Sequence, residues 1–176
     1  DDPKQRGSDM RPLFEAILKH VPTPPADADA PLQLQICALD YSSYVGRLGI
    51  GRIRRGTIRA GAEVAVLHGA LGQGEIPAKA KVGQVFTFAG LERVPVDQAE
   101  AGDIVLVTGV DDLTIGTTLT DVDTPEALPP IAVDEPTLAM TFQVNTSPLA
   151  GREGKYVTSR NLRERLNREL LVNMAL

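Results

Sequence analysis

The 176-residue chain has no tryptophan, one cysteine, two histidines, four phenylalanines and three tyrosines. Each scarcity excludes something. A single cysteine, Cys37, rules out an internal disulfide, which fits a reducing compartment and a cytoplasmic location. It lies in the alternating run LQLQICALD and reads as a small packing residue, not a nucleophile. His20 and His68 are far apart and lack neighbours at ligand spacing, so no metal site is expected. No Ser/His/acid, Cys/His or clustered-carboxylate pattern stands at informative spacing, so no catalytic residue is expected. No apolar run approaches the ~18 residues of a membrane span, and no membrane partner is expected. The opening DDPKQRGSDM is charged, lacks an apolar signal core and lacks a starting Met, which leads us to expect a piece of a longer protein.

What the chain does have is turn residues, 16 glycines and 13 prolines. With so few aromatics, this favours a mainly β fold of short strands over a helical bundle. Residues 8 to 21, SDMRPLFEAILKHV, read as one helix with Ser8 or Asp9 as cap, Pro12 near its start, and an apolar stripe of Phe14, Ile17, Leu18 and Val21. The run PTPPADADAP then stops the helix and forms a stiff linker. From residue 31 the pattern alternates: Leu32, Leu34, Ile36 and Ala38 on one face, and further strands at 48–53, 57–59, 63–67, 80–88 and 104–108. In the second strand Leu48 and Ile50 share one face and the glycines the other. A glycine-rich hairpin tip is expected at 68–75. Such spacing predicts a small barrel or sandwich. A second Pro-marked hinge follows at 128–136, then a strand at Leu138–Val144 and a helix from about Ser159 to Asn173 capped by Thr158 or Ser159. Strand plus helix alone cannot bury both faces, so this last part reads as an incomplete α/β unit.

Between these two elements, SPLAGREGKYVTSR (147–160) has the layout of a nucleotide loop. The spacing fails. With Gly154-Lys155 as the Gly-Lys pair, Leu149 stands where the first glycine belongs and Tyr156 where a magnesium-binding hydroxyl belongs. The loop therefore reads as a connection with glycines at tight bends, and no cofactor site is expected in the chain.

The formal net charge of −5 disfavours a general nucleic-acid binder, but the distribution is uneven. Arg47, Arg52, Arg54, Arg55 and Arg59 fall in a stretch without acids, whereas ten acids and no Lys or Arg lie between Asp97 and Glu135. A third stretch holds Arg152, Lys155, Arg160, Arg163, Arg165 and Arg168 beside Glu153, Glu164 and Glu169. A charge run is often just a solvated face. The other reading is a bipolar molecule whose basic patch meets phosphates.

The stretch ALDYSSYVGRLGIGRIRRGTIR (38–59) resembles the second domain of translational GTPases, and its Asp40, Tyr41, Tyr44, Val45 and Gly46 are similar to the BipA/TypA family of ribosome-associated GTPases. AEAGDIVLVTG (99–109) fits the same barrel. Residues 133–170 resemble the start of that family's third domain, and MRPLFEAILKHVPTP (10–24) resembles the last helix of its GTPase domain. The resemblance implies three parts: a terminal GTPase-domain helix and linker (1–30), a β-barrel like domain 2 of elongation factor Tu (31–128), and the beginning of a ferredoxin-like α/β domain (129–176). The family's P-loop, DxxG and NKxD motifs are absent from these residues, so GTP and magnesium are expected in a GTPase domain outside them. The implied function is a ribosome-binding, relay module of a factor acting in ribosome assembly, stress response and translation regulation. The equivalent module of an elongation factor G-like or LepA-like GTPase is the alternative. Implied partners are the ribosome, mainly small-subunit rRNA and proteins, and the parent's own GTPase and C-terminal domains. Self-association through the helix carrying Leu162, Leu166 and Leu170 is a further expectation. Candidate RNA contacts are Arg47, Arg52, Arg54, Arg55 and Arg59 as a group, of which alternation lets about half face outward, and then Lys155, Arg160 and Arg163.

Overall fold

The computed structural model describes residues 9–22, 26–69, 77–132, 137–152 and 154–173. A helix, α1 (Arg11–His20), precedes ten strands: β1 (Gln33–Ser42), β2 (Gly46–Arg55), β3 (Thr57–Arg59), β4 (Glu63–Leu67), β5 (Ala78–Lys81), β6 (Val85–Ala89), β7 (Glu92–Val96), β8 (Gln98–Glu100), β9 (Ile104–Val107) and β10 (Thr118–Thr120). A second helix, α2 (Ser159–Glu169), closes the described chain. Eight strands form one sheet in the order β5-β4-β10-β1-β2-β9-β6-β7, and β3 pairs with β8 beside it. All of these pairings are antiparallel. The sheet rolls up because the chain leaving β5 turns onto β9: the Gly83 amide donates to the Thr108 carbonyl (2.8 Å) and the Gln84 amide to Thr108 Oγ1 (2.8 Å). This turn divides the expected strand at 80–88 into β5 and β6.

The enclosed core is aliphatic. Leu34, Ile36, Ile53, Ile58, Val105, Val107, Leu113 and Leu119 are fully buried and belong to one cluster. Every tyrosine is exposed, and no phenylalanine belongs to the buried core. Branched aliphatic side chains fill a narrow barrel without needing a polar partner, which explains how a chain so poor in aromatics folds.

Two bulges decide which side chains face that core. Ile36 pairs with Gly51 and Ala38 with Ile50, so Cys37 is an extra residue. It is exposed, not a packing residue, and Leu39 instead of Ala38 packs on the core. In β2 the glycine face turns inward. A Cβ on Gly51 would lie 2.1 Å from the Gln35 carbonyl oxygen, so only glycine fits beside the bulge. The second bulge makes Arg54 the extra residue, with Gln33 opposite Arg55 and Leu34 opposite Ile53.

The linkers are tied down. The side-chain amides of Gln33 and Gln35, both buried, donate to the carbonyls of Glu126 (3.1 Å) and Pro129 (2.7 Å). The Leu128 amide donates to Thr118 Oγ1 (3.1 Å). The hinge expected at 128–136 is thus fastened over its first residues, and 133–136 lie outside the described residues.

The C-terminal part differs from expectation at one element. Leu138–Val144 forms no strand, because no neighbour among the described residues supplies its ladder bonds. The helix is present, with the Asn161 amide donating to Thr158 Oγ1 as anticipated. At the other end Asp9 Oδ1 accepts from the Arg11 amide (3.0 Å); Ser8 lies outside the described residues. Of the hairpin tip at 68–75, only His68 and Gly69 are described.

Candidate nucleic-acid interface

The five arginines between 47 and 59 separate by environment. Arg52 stands opposite Gln35 on the outward face of β2 and is half-buried. Arg54, at the bulge, is exposed, and Arg59, opposite Gln98 in the small sheet, is exposed as well. None of these three side chains makes a hydrogen bond or ion pair among the described residues. Arg47 and Arg55 are occupied. Arg47 Nη1 donates to the Leu113 carbonyl (3.0 Å), anchoring the far end of the barrel. Arg55 Nε donates to the Pro31 carbonyl (3.2 Å), while its Nη2 pairs with the Glu126 carboxylate.

The bulge decides which side Arg55 faces. In a regular strand Arg52 and Arg54 would share one face and Arg55 would take the other. The inserted residue instead leaves Arg55 opposite Gln33, on the side where the outgoing chain crosses, and exposes Arg54. Gly56 then turns the chain into β3. Its φ is +75°, and a Cβ there would lie 2.7 Å from the Ala30 carbonyl oxygen. This turn carries the strand to Arg59 within four residues of Arg55.

The second group is more dispersed. Lys155 is exposed in the turn before α2. Arg160 pairs with Glu164 (2.8 Å) one turn along, and Arg165 with Glu169 (2.7 Å). Arg163 is exposed. No hydrogen bond or ion pair joins this group to the first among the described residues. The loop at 147–152 is a turn: the Ala150 amide donates to the Ser147 carbonyl (2.9 Å), and Gly151 has φ +86°. Beside it, Phe142, Val144, Leu162, Leu166 and Leu170 line an open, mainly apolar groove of about 710 Å³, with Arg163 on its wall.

Two arrangements had no visible signal in the sequence, because their members lie more than 40 residues apart. His68 Nε2 lies 3.2 Å from Asp112 Oδ2, and its Nδ1 lies 3.1 Å from Thr117 Oγ1. Thr117 is fully buried, so this set fastens the end of β4 to the loop before β10 and presents no nucleophile. Asp40 accepts from Arg93 Nη2 (2.6 Å) and from the Tyr41 amide (2.7 Å). The bond from Arg93, and then that from Tyr41, hold the Asp40 carboxyl below its ordinary value. No cluster of three or more potential metal ligands occurs among the described residues.

Comparison with known proteins adds a third line. Residues 46–120 match the family model of elongation factor Tu domain 2. The chain is 56% identical over 168 residues to the large ribosomal subunit assembly factor BipA of Synechocystis sp., covering 96% of this chain and 28% of that protein. Against the protein of the same name from Escherichia coli (strain K12) it is 50% identical over 175 residues, covering 99% of this chain and 28% of the relative. For the Haemophilus influenzae protein the figures are 54% over 170 residues, 96% and 27%. The chain therefore spans a little over a quarter of the length of these relatives. Among solved structures, translation elongation factor SelB from Methanococcus maripaludis superposes with a TM-score of 0.50 over 65% of this chain and 24% of that one, at 24% identity, which supports the fold alone.

Proposed function

Because the chain belongs to the family of the large ribosomal subunit assembly factor BipA, we propose that it is the ribosome-docking and interdomain-relay module of a translational GTPase. In this reading residues 1–30 are the end of the GTPase domain and its linker, 31–128 the docking barrel, and 129–176 the beginning of the next domain. GTP and magnesium bind in the part of the longer protein that precedes these residues, and the whole acts in the cytoplasm on ribosome assembly, translation and stress adaptation.

The observation that carries the docking role is the set Arg52, Arg54 and Arg59, three guanidinium groups with no partner among the described residues, on a chain whose net charge is −5. A planar fork with five donors suits phosphate oxygens. An RNA helix offers its backbone and shape more readily than its base edges, so cations at strand spacing are the appropriate complement. Lys155 and Arg163 extend the positive surface, while Arg47 and Arg55 hold the barrel together. We place the contact on rRNA of the small subunit. A factor that assists large-subunit assembly can still rest its barrel there when the subunits meet.

Co-sedimentation of the chain with purified small and large subunits over a salt series tests this. Replacing Arg52, Arg54 and Arg59 with Gln is expected to weaken binding and to reduce the slope of log K against log salt by about 3, the loss of three duplex phosphate contacts at about 0.9 each. An unchanged slope would remove these residues from the interface. Binding to the large subunit alone would move the contact there.

A further inference from the structure

Arg55 touches both ends of the barrel's connections. On the incoming side its Nε donates to the Pro31 carbonyl, and Asp27 bridges to it in parallel. The next residue extends the grip: the Gly56 amide donates to the Asp27 carbonyl (2.7 Å), and Thr57 Oγ1 to that of Ala28 (3.4 Å). On the outgoing side its Nη2 pairs with the Glu126 carboxylate. Gln33, its ladder partner, donates to the carbonyl of the same Glu126. Incoming and outgoing chain are 95 residues apart at Pro31 and Glu126, yet one guanidinium holds both.

We propose that Arg55 is a positioning residue that couples the segment entering the barrel to the segment leaving it. The fork geometry is what permits this. Nε and Nη2 are separate donors on one rigid plane, so the direction of one bond fixes the direction of the other. Lysine has a single flexible ammonium and cannot impose that relation. The buried Gln33 and Gln35 amides keep the outgoing chain in place, since a buried amide without a partner is costly. A displacement of the outgoing chain that pulls Glu126 away therefore reorients the same group that holds Pro31, and the displacement reaches the linker ahead of the barrel. This coupling does not depend on whether the barrel meets RNA.

The test reads one linker while perturbing the other. Glu126 is exposed, so Glu126→Ala leaves the core intact. In the 176-residue chain, amide hydrogen exchange by NMR is expected to accelerate about five-fold at Gly56, whose amide bonds to Asp27 of the incoming segment, the size of a typical coupling between contacting residues. The amides of Val105 and Leu106 should keep their rates. Acceleration confined to the outgoing side, at Leu128, would overturn the proposal and leave Arg55 with two independent local contacts. Arg55→Lys is the second variant: it should accelerate Gly56 and Leu128 together, and unchanged rates at both would equally overturn it.

Discussion

Two stretches of this molecule carry the same alternating apolar pattern with opposite outcomes. In β1, Leu34 and Ile36 are fully buried. In Leu138–Val144 the alternate residues Leu138, Met140 and Phe142 are 87%, 75% and 53% exposed. The difference lies in what each stretch can pair with. β1 has β2 on one side and β10 on the other, whereas Leu138–Val144 has no ladder neighbour among the described residues. Alternation tells which side chains would share a face. It does not create the second strand that satisfies the backbone, and without that strand the apolar face has little to cover it except the α2 groove.

The sharpest way to break this comparison is to truncate one residue in each stretch. Ile53→Ala removes a fully buried side chain from the barrel core and should cost about 2–5 kcal/mol, read as a shift in the urea midpoint. Phe142→Ala removes a larger side chain that is half exposed and outside the core cluster, which ends at Leu119. It should move the barrel's midpoint by less than about 0.5 kcal/mol. Equal shifts would show that the C-terminal stretch contributes to the barrel's core after all.

Glycines sharpen it next. Gly56 and Gly151 both adopt a left-handed conformation, with φ of +75° and +86°. A Cβ on Gly151 would meet nothing within 4 Å, whereas on Gly56 it would lie 2.6 Å from Leu32 Cα. Gly151→Ala should thus show only the backbone term, about 1–2 kcal/mol and local to its own turn. Gly56→Ala adds a clash between two pieces of backbone and should exceed that in the barrel's unfolding transition. A Gly56→Ala barrel as stable as the parent would mean that the linker at Ala30–Leu32 is free to move aside, contrary to its hydrogen bonds.

The same contrast explains what was legible in the sequence. The barrel's interior could be read from Leu34, Ile36 and the 63–67 and 104–108 runs, because burial in a two-faced sheet leaves a period of two, whereas Ile53 lies in phase with the glycines of its strand and could not. Strands β7, β8 and β10 leave no such signal. The first two are mostly exposed, and β10 is only three residues long, too short for periodicity. The two bulges could not be read either, since an inserted residue reverses parity without any composition signal. That is why alternation puts Ala38 on the core face although it is exposed, and why the tied arginines cannot be told from the free ones. The linker attachments are further from local sequence still. Gln33 and Gln35 simply alternate with the apolar residues of β1, and their partners lie 93 and 94 residues away.

The smallest effect concerns ion pairs. Arg160–Glu164 lies along a single helix with both side chains well exposed, and breaking it should cost about 0.3–0.5 kcal/mol. Asp40–Arg93 joins β1 to β7, strands far apart in the sheet order, with side chains 37% and 45% exposed. Solvent screening at that exposure keeps its contribution below about 1 kcal/mol. Because the folded carboxyl titrates below its ordinary value, its contribution is present above the unfolded value of 3.8 and is lost as pH falls through the lower, folded one. The stability difference between the parent and Asp40→Asn, from urea unfolding across a pH series, should be constant in the neutral range and shrink below about pH 4. Asparagine still accepts from the Tyr41 amide, so the substitution isolates the charge. A difference that persists undiminished at low pH would mean that the carboxylate's charge contributes nothing, and that β7 is held by its ladder to β6 alone.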